Sequence, residues 1–90
     1  APTGRKQTEI MRLARGCDMV IIIGSRKSAN TRRLFEISKA LNPRTRWIGS
    51  VADIRREWLK GIRTVGVGAG ASTPDVVTKR VVDYLGGMKK

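Results

Sequence analysis

Ninety residues suffice for one domain with a modest core, burying about 60–65% of the surface the unfolded chain exposes. Hydrophobic residues make up 40% of the chain, an ordinary globular share, but nineteen Lys and Arg against seven Asp and Glu leave a net charge of +12. A single cysteine and no histidine exclude an intramolecular disulfide, a zinc site or iron–sulfur cluster built from this chain alone, and any histidine-based acid–base chemistry within it.

Residues 5–15 read as a helix, with Ile10, Leu13 and Ala14 at helical spacing and Gly16 as a stop signal. Met19-Val20-Ile21-Ile22-Ile23 is a continuous apolar, β-branched run, the pattern of a central parallel strand buried on both faces. It is also the longest apolar run, far short of the roughly 20 residues a membrane span needs. The first residues lack a secretory signal, so the chain reads as soluble and cytoplasmic. After Gly24 a loop covers Ser25 to Asn30, and residues 31–41 resume the helical period until Asn42-Pro43 ends it.

Thr45 to Ile48 reads as a second strand, and residues 49–61 as irregular structure with short helical turns. Trp47 and Trp58, each beside apolar neighbours, read as core or edge packing rather than as stacking platforms. Thr64-Val65-Gly66-Val67 reads as a third strand, and Gly68-Ala69-Gly70-Ala71-Ser72 as a glycine-rich turn. Thr73-Pro74-Asp75 then opens a last helix near residues 74–85, with threonine as cap, proline in the first turn and aspartate at the positive end. The expected fold class is α/β, a three-layer α/β/α domain over residues 1–90. Its small parallel sheet takes the order 2-1-3, with helices on both faces.

In an open parallel sheet, ligands bind beyond the carboxyl ends of the strands. Two loops leave such ends here and enter helices: Gly24-Ser25-Arg26-Lys27-Ser28-Ala29-Asn30-Thr31 and Gly68-Ala69-Gly70-Ala71-Ser72-Thr73-Pro74-Asp75. Small residues admit a ligand close to the backbone, and free N–H groups with the helix dipole favour an anion. Ser28, Asn30 and Ser72 add side-chain hydrogen bonds, with Arg26, Lys27 and Arg32 as candidate rim cations. Plain helix capping by Asn30 and Thr73 is the competing reading. Neither loop matches the nucleotide phosphate loop or the dinucleotide fingerprint, which argues against ATP and NAD.

These two loops, within residues 17–34 and 57–75, resemble the LytB family, the hydroxymethylbutenyl diphosphate reductases that close the non-mevalonate route of isoprenoid biosynthesis. The likeness runs from about Thr3 to Leu85 and covers only the last of that family's three α/β domains. The resemblance implies an oxidoreductase whose iron–sulfur cluster sits on three cysteines, one from each domain. It also implies a diphosphate substrate held between the domains. Aligned on Gln7, the third-domain cysteine falls immediately before Ala1, and Cys17 does not match it. The family's Ser-Ser-Asn diphosphate motif maps to Ser28, Ala29 and Asn30, and its second-loop serine to Ser72. Ala29 thus loses one hydroxyl, and Lys27 stands where the family often has asparagine.

The resemblance leads to the expectation of a diphosphate-facing domain with no catalytic residue, metal ligand or cofactor of its own. The cluster is expected only in a full-length parent, and the chain alone is expected to be inactive. The expected partners are a diphosphate or other anion and the two preceding domains of a parent reductase, with no membrane. A basic nucleic-acid-binding module, for which the +12 charge speaks, and a structural remnant without ligand are the rival readings.

Overall fold

A computed structural model describes residues 2–70 and 73–88, with side chains over 8–70 and 73–86. Three parallel strands, β1 (Met19–Ile23), β2 (Thr45–Ile48) and β3 (Val65–Ala69), form one sheet in the order β2-β1-β3. The helices are α1 (Pro2–Gly16), α2 (Ala29–Leu41) and α3 (Asp75–Met88), with two 3₁₀ turns at Val51–Asp53 and Arg56–Leu59. The α/β class and the 2-1-3 order follow the sequence reading.

The central strand explains the layering. Its five side chains are all buried and alternate between two cores. Val20 and Ile22 pack with Ile10, Ala14 and Leu34 under α1 and α2. Met19, Ile21 and Ile23 pack with Ile48, Ile54, Val81 and Leu85 on the α3 side. Each such burial contributes roughly 1.5–3 kcal/mol relative to exposure. On β3, Gly66 turns toward α1, where an added Cβ would lie 3.1 Å from Leu13 Cβ and 3.2 Å from Cys17 Sγ. The missing side chain lets α1 pack directly against the strand.

Asn42 ties three elements together. Its Nδ2 donates to Ala14 O at 3.2 Å and Cys17 O at 2.9 Å, and its Oδ1 accepts from Arg44 N–H at 2.9 Å. Beside it, a buried Ser38–Thr45 hydroxyl pair at 2.8 Å joins α2 to β2.

Several ends differ from the sequence reading. Helix α1 starts earlier than residue 5, α2 starts at Ala29 rather than Thr31, and α3 runs through Gly86 to Met88. Strand β3 continues to Ala69, because its glycines are needed under α1 rather than in a turn. Among the described residues no helix is long and apolar enough to cross a membrane.

Candidate functional site: two loops at the carboxyl ends of β1 and β3

The first loop folds on Ser25. Its carbonyl accepts Ser28 N–H at 3.0 Å and its hydroxyl accepts Lys27 N–H at 3.1 Å. This brings Ser28 into an extended conformation as the N-cap of α2, its Oγ accepting Thr31 N–H at 3.2 Å. Asn30 does not cap; it lies inside the first turn of α2, half-buried. Ser28 also takes Arg32 N–H on its carbonyl at 3.0 Å. The amides of Ala29 and Asn30 thus have no partner among the described residues, and no acidic residue occupies the first turn. Two free donors and the positive helix end point past the end of the sheet.

The second loop is pinned to the same place. Ile23 O, the last carbonyl of β1, accepts both Gly70 N–H at 3.0 Å and the Thr73 hydroxyl at 2.9 Å. Thr73 therefore does not cap α3. Helix α3 begins at Asp75, and the Pro74 carbonyl accepts Val77 N–H at 3.1 Å instead. Ser72 lies outside the described residues.

Thr31 stands where the two loops meet. It is fully buried, and its side chain occupies the space that a Cβ on either Gly24 or Gly70 would enter. Its Oγ1 is buried with no hydrogen-bond partner among the described residues. The two glycines and this threonine form a close-packed latch, which the sequence reading treated only as small residues around a loop. The local signal was a threonine just inside a helix; the matching glycine is 39 positions away, from residue 31 to residue 70.

The candidate rim cations point in different directions. Arg26 turns to β2, its guanidinium donating to Trp47 O at 3.4 Å and lying 5.0 Å from the centroid of the Trp47 ring. Arg32 faces Glu36 at 3.9 Å on the exposed flank of α2, a pair weakened by solvent. Lys27 is exposed, with no ion pair among the described residues.

The donor set does not fit an iron–sulfur cluster. The one cysteine, Cys17, is half-buried at the opposite end of β1, its sulfur against Gly66. Among the described residues no three His, Cys, Asp or Glu side chains gather in one place.

The family model described as LytB protein matches residues 1–86. The chain belongs to the LytB family. Among curated relatives, the 4-hydroxy-3-methylbut-2-enyl diphosphate reductase of Aquifex aeolicus is 46% identical over 79 residues, which is 88% of this chain and 27% of that protein. The protein of the same name from Anaeromyxobacter sp. (strain Fw109-5) is 42% identical over 88 residues, covering 98% of this chain and 31% of the relative. A solved structure of (E)-4-hydroxy-3-methyl-but-2-enyl diphosphate reductase superposes with a TM-score of 0.92 at 42% identity, over 94% of this chain and 30% of that one. The Plasmodium falciparum reductase structure gives a TM-score of 0.86 at 28% identity. The chain thus spans roughly 30% of the length of the LytB relatives it matches, with its loops and sheet in the same fold.

Proposed function

We propose that this chain is the third, diphosphate-holding domain of a cytoplasmic LytB-type reductase. The parent would carry out the two-electron reductive dehydroxylation of hydroxymethylbutenyl diphosphate. The allylic C–O bond breaks, two electrons and two protons are taken up, and water leaves with isopentenyl or dimethylallyl diphosphate. By the family pattern the cluster's three cysteine ligands, one from each domain, and the catalytic groups would lie outside these 90 residues in that parent.

The observation that carries this reading is the pinning of the second loop on Ile23 O, the point from which the first loop leaves β1, with the amides of Ala29 and Asn30 left open at the start of α2. The Asn30 side chain, the remaining hydroxyl proton of Ser28, and Ser72 would add donors to one diphosphate. Lys27 and Arg32 would supply surrounding positive charge, whereas Arg26 is engaged at Trp47. A hydrogen bond to a charged group is worth about 1.5–3 kcal/mol, or roughly 10- to 150-fold in affinity.

The test is a graft. Residues 1–86 replace the matching segment of the Aquifex aeolicus reductase, and the chimera is assayed anaerobically. Retained cluster absorbance with turnover is expected, and Asn30→Ala in the chimera should raise KM at least tenfold. A chimera with full cluster absorbance and no turnover, or an Asn30→Ala variant with unchanged KM, contradicts the reading.

A further inference from the structure

The outer edge of the sheet carries a second set of groups that the diphosphate reading does not use. Val20 N–H bonds to Arg44 O at 3.3 Å and Gly24 N–H to Ile48 O at 3.0 Å. In a parallel ladder this turns the main chains of Arg44, Arg46 and Ile48 toward β1, and those of Thr45 and Trp47 outward. Arg26 covers the Trp47 carbonyl. The Thr45 N–H, Thr45 C=O and Trp47 N–H have no partner among the described residues.

A cavity of about 480 Å³ runs along this edge and reaches both faces of the strand. On the α2 face it is lined by Arg26, Lys39 and Trp47; on the other face by Arg46 and Trp58. The Arg46 guanidinium lies 5.1 Å from the Trp58 ring centroid, as Arg26 does over Trp47. These cation–π contacts hold each guanidinium over its indole. Neither arginine nor Lys39 has a carboxylate within ion-pair distance among the described residues. The cavity's one acid, Asp53, accepts Gly49 N–H at 2.8 Å and Ser50 N–H at 3.3 Å.

We propose that the β2 edge is a docking site for an extended acidic polypeptide segment, which adds as a fourth strand beside Thr45–Ile48. Backbone groups of the segment would pair with Thr45 and Trp47. Because side chains alternate along a strand, its odd and even positions would meet opposite faces. Cations wait on both: Arg26 and Lys39 on one, Arg46 on the other. The occupant therefore carries carboxylates at neighbouring positions rather than on a single face. The observations favour a polypeptide over a nucleic acid. Both indoles already carry a guanidinium, and open strand amides are matched by another backbone rather than by bases.

The experiment titrates the isotope-labelled 90-residue chain with a capped eight-residue β-forming peptide bearing Glu on both strand faces. Two controls run beside it: the same peptide N-methylated at alternate residues, and an oligouridylate of equal charge. The expected result is a downfield shift of the Thr45 and Trp47 amides with at least tenfold slower hydrogen exchange. N-methylation should abolish this. Arg46→Glu and Lys39→Glu, on opposite faces, should each weaken binding at least fivefold with the Val20 and Ile22 amides unmoved. Equal binding of the N-methylated peptide, an oligouridylate response at Thr45 and Trp47 exceeding that of the peptide, or no peptide response at millimolar concentration overturns the proposal.

Discussion

Replacing Gly70 by alanine probes the latch that holds the two loops together. The backbone at Gly70 lies outside the left-handed region, so alanine can adopt it. Restricting the unfolded chain would then stabilise the protein by about 0.4–1 kcal/mol. Against this, the new methyl would overlap Thr31 Oγ1 and lie 3.2 Å from Thr31 Cβ and 3.5 Å from its Cα. Overpacking of this kind costs about 1–3 kcal/mol, so Gly70→Ala should destabilise by about 1–2 kcal/mol net. With a urea slope of about 1 kcal/mol per molar, the midpoint falls by roughly 1–2 M. Thr31→Ala alone should change stability by less than about 1 kcal/mol. It gives up a buried methyl, worth about 0.8 kcal/mol, but also removes a hydroxyl buried without a partner. The double variant removes the overlap and should recover about 1–2 kcal/mol over the sum of the singles. Urea melts of all four proteins measure that coupling. Additivity within about 0.5 kcal/mol would show that Thr31 and Gly70 do not meet as described.

Other expectations follow from the same structure. Asn42→Ala strands the Ala14 and Cys17 carbonyls and the Arg44 amide, and should cost about 2–4 kcal/mol in chemical unfolding. The N–H of Arg63 holds the Asp18 carboxyl below its usual 3.8, with help from Thr64 N–H and the charges of Arg44 and Arg63, against opposing desolvation. A depressed folded pKa stabilises above the unfolded value and is lost as pH falls through the folded one. The urea midpoint of the native chain should therefore drop more steeply below about pH 4 than that of Asp18→Asn. Anaerobic incubation of the chain with iron and sulfide should leave no stable visible chromophore, since its single thiol cannot hold a cluster; a chromophore with turnover would contradict the assignment of the chemistry to groups outside these residues.

Strand β1 was legible because five consecutive apolar residues can only be satisfied by burial on both faces, and the central place of β1 then gave the order 2-1-3. Contacts distant in sequence were not legible. Ser28 and Asn30 are both good capping residues two positions apart, and the turn on Ser25 decides for Ser28. Thr73 looks like a cap, yet its hydroxyl is drawn to Ile23 O, 50 residues upstream. Gly68 looks like a turn residue until α1 is seen against it. Asn42 reads as a helix stop, but its bracket on α1 depends on packing between α1 and α2. The loops themselves were recognisable from their small residues; that they meet at Ile23 O and around Thr31 required the fold.

The central claim is that these loops hold a diphosphate, and a pyrophosphate titration of the isotope-labelled chain tests it most directly. The account predicts amide shifts centred on residues 25–31 and 68–75, led by Ala29 and Asn30, with millimolar affinity because one domain offers only one wall of the site. These shifts should persist at about 0.15 M salt, where exposed charge pairs are largely screened, and Asn30→Ala should weaken them. Shifts scattered over the arginines and abolished by that salt would contradict it.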